Sequence, residues 1–291
     1  MKRMACWAGI LASLGLTAAA TTFDFVVETT KADEAFTFRI DNAADVTIVW
    51  GDGATESGLA GTANRTHLFA AAGRYTNRVS GSATRIAFGG ATGTTPLLLR
   101  DIVSRLSDGV TGITSAYQMF HSAANITRFS QADWFDAASS NVTTLAQMFR
   151  GATAFDQNIS GWNVGKVTTM ADLFYNAAAF NQPIGTWTVS NVTTLAATFY
   201  GAAAFNQPIG DWDVGKVTTM ASLFYNAAAF NQPIGDWAVS NVTTMSHTFY
   251  GAAAFSQPIG DWDVSNVTTM SHTFYGATAF DQPIGNWNVG K

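Results

Sequence analysis

The chain has 291 residues, 47% hydrophobic and 12% charged, a balance that folds rather than one that remains a disordered tail or a polyelectrolyte. A net charge of -5 with a pI near 5.2 lacks the basic footprint of a nucleic-acid-binding protein. The single cysteine, Cys6, lies in a segment read below as a leader, so disulfide and thiol chemistry are excluded from the mature chain.

Met1-Lys2-Arg3 is basic, Met4 to Ala20 is uncharged and apolar, and Ala18-Ala19-Ala20 places small residues at a cleavage point. This plan predicts a signal peptide over residues 1-20, with cleavage before Thr21 and a secreted or surface location. No later stretch is apolar enough to span a bilayer as a helix, which predicts a mature chain without a transmembrane segment.

Residues 21-90 carry strand-like alternation at Phe23, Phe25 and Val27, at Phe36, Phe38 and Ile40, and in Val46-Thr-Ile-Val-Trp50. Trp50-Gly51-Asp52-Gly53 predicts a tight turn, followed by His67-Leu68-Phe69 and Gly73-Arg74-Tyr75 at hairpin spacing. These residues together resemble the polycystic-kidney-disease type of immunoglobulin-like domain, with Phe69 and Asn77-Arg78 departing from its pattern. The resemblance implies a small all-β sandwich over 21-90, and residues 91-116 then read as a linking and docking segment.

From about residue 117 to 291 the chain repeats every 25 residues. Trp162, Trp187, Trp212, Trp237, Trp262 and Trp287 mark one column, and Phe149, Phe174, Phe199, Phe224, Phe249 and Phe274 another. One unit of this size cannot bury its own apolar face, so the period predicts units that stack. Within a unit, Val242, Met245, Phe249 and Ala252 are spaced 3, 4 and 3 apart, which predicts a short helix capped by Asn241 or Thr243. Gln257 to Trp262 reads as a short extended segment with Pro258 at its edge. The expected fold class is therefore an α/β solenoid, leucine-rich-repeat-like with 25-residue repeats, preceded by the small immunoglobulin-like sandwich. Because packed helices need about 8 to 10 Å and strands about 4.8 Å, the array should curve with helices outside.

The pattern Asn-Val-Thr-Thr-Met-x-x-x-Phe-x-x-Ala-x-x-Phe-x-Gln-Pro-Ile-Gly-x-Trp-x-Val resembles the BspA-type leucine-rich repeat of bacterial surface proteins. That resemblance implies export and adhesion to proteins or cells, and it supplies no catalytic residue. Residues 166-215 and 216-265 differ at 8 of 50 positions, as duplication of a two-repeat block would leave them. The first copy is irregular, with Met119-Phe120 lying 29 residues before Met148-Phe149, and reads as an atypical N-terminal cap. The last copy stops at Gly290-Lys291, before the helix of a further unit. That pattern predicts either truncation of the array or an open end that self-associates.

No residue pattern points to catalysis, a cofactor or a metal. Asp52 lacks the surrounding acids a calcium site needs, since that ion takes about 6 to 8 oxygens. His247 and His272 fall on successive predicted helices, too far apart to share a zinc. Asp211, Asp213, Asp236, Asp261 and Asp263 recur with the repeat, unlike a catalytic pair. Asn141, Asn191, Asn241 and Asn266 head Asn-Val-Thr acceptor motifs but stand where the predicted helices need caps. The expected function is non-catalytic binding of an extracellular protein or glycan, with a structural spacer as the alternative. The predicted ligand-facing residues are Tyr175, Tyr200, Tyr225, Tyr250, Tyr275, His247 and His272.

Overall fold

The computed structural model describes residues 22-126, 128-130 and 141-289. The signal peptide expected over 1-20, Cys6 and the terminal Gly290-Lys291 lie outside the described residues.

The N-terminal region is one mixed sheet of eight strands: β1 (Phe23–Thr29), β2 (Glu34–Val49), β3 (Thr55–Phe69), β4 (Gly73–Ser82), β5 (Arg85–Ala87), β6 (Leu99–Ile102), β7 (Val110–Thr111) and β8 (Arg128–Phe129). The order is β3-β2-β4-β1-β6-β8, with β5 pairing β2 and β7 pairing β4. Period-two alternation buries Phe23, Phe25 and Val27 on β1, and Phe36, Phe38 and Ile40 on β2. Asn42 and Asp45 have φ of 50° and 52°, and the β2–β3 register shifts around them. These bulges reset the alternation, so Val46 and Ile48 return to the core. Beyond β2, the turn closes with Gly53 N donating to Trp50 O at 2.9 Å. Gly51 there has no room for a side chain, because a Cβ would lie 2.8 Å from Thr76 N.

The expected immunoglobulin-like sandwich is overturned: among the described residues every strand joins a single sheet, neither closed nor curled, instead of two facing sheets. The aromatic face is covered by the chain leading into the repeats. Phe88 sits 4.8 Å from the Phe25 ring and 5.5 Å from Phe38, then stacks on Phe120 at 5.8 Å and 11°. The segment over residues 91-116 supplies β6, β7 and the α turn α1 (Leu106–Gly109).

The α/β solenoid is overturned as well, since α1 is the one α-helical element among the described residues and no repeat contains a helix. The apolar 3-4-3 spacing belongs to consecutive β-turns. In the coil 170-177, Leu173 N, Tyr175 N and Ala177 N bond back to Met170 O, Asp172 O and Phe174 O within the coil. The alternate amides of Met170, Asp172, Phe174 and Asn176 instead donate to Thr194 O, Ala196 O, Thr198 O and Tyr200 O of the next coil. A helix would direct each of these to the carbonyl four residues back. Asp172 and Asn176, at φ of 55° and 54°, hold the left-handed positions that end a helix and complete type II turns. The extended segments do not ladder either. Between coils, β-pairing is reduced to single parallel bridges along Ser115, Thr144, Thr169, Thr194, Thr219, Thr244 and Thr269. The curvature expected from helices outside strands loses its premise with the helices.

The repeats nevertheless stack in register around one core. The ladder from Phe120 runs through Phe149, Phe174, Phe199, Phe224, Phe249 and Phe274 at ring separations of 5.4 to 5.7 Å. Trp212 Nε1 donates to Ile184 O of the previous coil at 3.1 Å, a bond repeated along the Trp column. Buried Thr198 and Thr248 hydroxyls lie between carbonyls of two coils, Thr248 Oγ1 3.0 Å from Met220 O and 2.7 Å from Met245 O. The expected helix-capping asparagines are clamps between coils: Asn241 Nδ2 donates to Gly215 O at 2.7 Å and Asn266 Nδ2 to Ser240 O at 2.9 Å. At the final coil, Tyr275 is exposed, and Phe274, Ile284 and Trp287 are half-buried.

Candidate functional site

The turns carry the predicted ligand-facing residues because the coil 170-177 sends Met170, Leu173, Phe174 and Ala177 inward and the residues between them outward. Phe174 points into the core, and the next residue, Tyr175, points out. Stacking then brings Tyr175, Tyr200, Tyr225, Tyr250 and Tyr275 into one column, with ring centroids 4.2, 4.3, 4.4 and 4.8 Å apart. The first four are half-buried against one another, and Tyr275 is 61% exposed. Arg150 takes the place of a tyrosine one repeat earlier, its guanidinium carbon 3.7 Å from the Tyr175 ring centroid. The cation caps the quadrupole of the stack.

Beside this column runs a second, at the left-handed turn position: Gln118, Gln147, Asp172, Ala197, Ser222, His247 and His272. It varies where the tyrosines do not. At one end Gln118 Nε2 donates to Gln147 Oε1, Gln147 Nε2 to Asp172 Oδ2, and Arg150 pairs with Asp172 at 3.1 Å. At the other end His247 and His272 stack at 5.2 Å and 8°. That spacing corrects the expectation that successive helices hold the two histidines 8 to 10 Å apart. Among the described residues no group of three or more metal-ligating side chains forms. His272 Nδ1 lies 2.7 Å from Ser271 Oγ.

The electrostatics of the face follow from packing. Burial, with the hydroxyls of Tyr175 and Tyr225 on either side, pushes Tyr200 up to about 12. Desolvation, with Tyr225 and Tyr275 on either side, raises Tyr250 as well. The stacked column presents hydroxyls and ring edges to the outside. Burial, followed by the Arg150 charge, holds His121 below its ordinary value.

The dismissed candidates have structural places. Asp52 Oδ2 lies 2.7 Å from His67 Nε2 and its other oxygen accepts from Ala54 N, so it ties the β2–β3 turn. His67 stacks on Trp50 at 4.8 Å. Asp213 and Asp263 accept from Gly215 N and Ser265 N as turn caps, while Asp211, Asp236 and Asp261 are exposed. Arg150 was not singled out from the sequence, although counting 25 residues back from Tyr175 reaches it.

The repeat region matches the model of a family described as "Mycoplasma protein of unknown function, DUF285", over residues 114-231 and 208-291. These matches take in more than half of the chain, which therefore belongs to that family. No curated protein and no solved structure matches it. No helix among the described residues is long and apolar enough to cross a membrane.

Proposed function

We propose that the protein is an exported, non-catalytic binding protein that contacts an extracellular protein or glycan through the turn face of its repeats. The observation that carries the reading is the side-by-side placement of the uniform tyrosine column and the varying column from Gln118 to His272. A repeated aromatic edge supplies contact area at low entropic cost, and the neighbouring column supplies chemical differences along its length. Because each coil presents the same aromatic, weak contacts add through avidity. The basic start, apolar run and Ala18-Ala19-Ala20 support export, and the BspA-type repeat pattern is consistent with a surface role.

The test is capture by immobilised chain 21-291 from a panel of purified matrix proteins and polysaccharides, repeated with Tyr200→Ala, Tyr225→Ala and His247→Ala combined. Binding should weaken by at least about tenfold in the folded triple variant. Binding that survives all three substitutions moves the contact elsewhere, and a chain that captures no member of the panel removes the adhesin reading.

A further inference from the structure

A second site lies at the junction of sheet and repeats. On β2, residues two apart share a face, so Arg39 and Asp41 point the same way, and Arg85 on β5 is the direct cross-strand partner of Asp41. Arg39 Nε donates to Asp41 Oδ1 and Arg85 Nε to Asp41 Oδ2, each at 2.7 Å. Two guanidiniums thus share one carboxylate, leaving one positive charge in excess. The bulge at Asn42 turns its side chain to the same place, where Nδ2 donates to Thr84 Oγ1 at 3.0 Å and the backbone N donates to Thr62 Oγ1 at 2.9 Å. Ser115, at the foot of the Thr bridge column, completes a depression of about 390 Å³.

The hydrogen-bond accounting of this depression is lopsided. Both oxygens of Asp41 are taken by arginines, Asn42 Oδ1 faces the Thr62 hydroxyl, and Ser115 Oγ accepts from Tyr117 N. Arg85 Nη1 donates to Tyr117 O at 3.3 Å. Left over are the terminal nitrogens of Arg39, Nη2 of Arg85 and the Ser115 hydroxyl hydrogen, all donors, with Arg85 largely buried. A donor surplus with a net positive charge is completed by an oxyanion.

We infer that this depression binds an oxyanion, the carboxylate or sulfate of a sugar acid, with hydroxylated Thr62, Thr84 and Ser115 beside it. Guanidinium pairs accept such groups bidentately, and the volume falls in the range of small-molecule sites. The inference is independent of the tyrosine face, because its residues lie on the sheet and at the first rung.

Isothermal titration calorimetry of chain 21-291 at fixed ionic strength, with D-glucuronate, N-acetylglucosamine 6-sulfate and D-glucose as probes, tests it. Saturable binding of at least one acid and none of glucose is the expected result, and the acid that binds identifies the carboxylate or the sulfate source. Arg39→Gln, which makes the cluster neutral, should weaken binding by about tenfold or more. Asp41→Asn, which removes the internal competitor, should strengthen it, so the two variants move affinity in opposite directions and a general loss of fold cannot imitate the pair. Circular dichroism establishes that each variant is folded. No uptake of either acid, equal uptake of glucose, or unchanged affinity in a folded variant of this pair overturns the inference.

Discussion

The sheet and the stack bury aromatic cores of similar composition but hold them differently. In the sheet no contact is repeated along a column: Phe38 meets Phe25 and Trp50 edge-on, at 71° and 72°, and Phe88 at 32°. In the stack one contact recurs, with Phe174, Phe199, Phe224 and Phe249 parallel within 15°. A unique network fails as a unit, whereas a repeated nearest-neighbour contact fails at the interface that is damaged. Phe224→Ala and Phe38→Ala, both fully buried, should each cost about 3 to 5 kcal/mol. The difference is where protection goes. Phe224→Ala should release hydrogen exchange first at the amides of Phe199 and Phe224, which bond to Leu223 O and Thr248 O. Phe38→Ala should release the sheet as a whole. Uniform loss of protection along the chain in both variants would erase the distinction. Tyr225→Ala, half-buried, should cost less than Phe224→Ala, losing two ring stackings worth about 0.5 to 1.5 kcal/mol each.

A smaller effect probes the polar joints between coils. Thr248→Val keeps the shape but removes the hydroxyl that lies between Met220 O and Met245 O, so it should destabilise by about 1 to 2 kcal/mol in a denaturant titration. Smaller still is the cap on the tyrosine column. Arg150→Gln removes the cation over Tyr175 and the pair with Asp172, and about 0.5 to 1 kcal/mol should be lost, less at high salt.

Burial was legible in the sequence where backbone conformation was not. The 25-residue spacing of Phe224 and its equivalents marks the core correctly, because inward positions must be apolar whatever the local backbone. The 3-4-3 spacing suits a helix and also a run of β-turns that returns every fourth residue or so to the core. Asn176 and Asn226 alternate with Gly201 and Gly251 at one left-handed position, which suits the end of the expected helix as well as a turn and so does not separate the two. The other left-handed position falls inside the expected helix, and Ala197 there gives no sign of it, since alanine does not favour that conformation. In the sheet, the strands were readable from alternation, but their partners were not. The β2–β5 pairing that unites Asp41 with Arg85 spans 44 residues of sequence. The tyrosine column was legible as spacing, and its 4.2 to 4.8 Å separation was hidden by the assumption of helix-sized repeats.

The two regions should also fail at opposite ends of the pH scale. In the sheet, burial alone would raise the Asp52 carboxyl, but the His67 hydrogen bond and the Ala54 amide outweigh it and hold the group below its ordinary value. A carboxyl depressed by folding stabilises fully above its unfolded pKa, and that contribution fades as pH falls through the folded value. The β2–β3 turn should therefore loosen in acid, below the normal carboxylate range. In the stack, the sign is reversed: Tyr200 is raised from 10.0 to about 12, so folding favours its neutral form. That contribution is intact below pH 10 and is lost as pH climbs toward 12, where the unfolded chain ionises first. Tyr200→Phe should remove part of the alkaline loss and leave the acid limb unchanged, while Asp52→Asn should remove part of the acid loss and leave the alkaline limb unchanged, the depressed Glu34 carboxyl keeping the rest. Melting temperatures across the pH range, with tyrosinate absorbance followed at the alkaline end, read both limbs. If Tyr200→Phe leaves the alkaline limb as steep as in the unsubstituted chain, the column does not govern the stack's response to base, because the phenol whose ionisation it resists most would be gone.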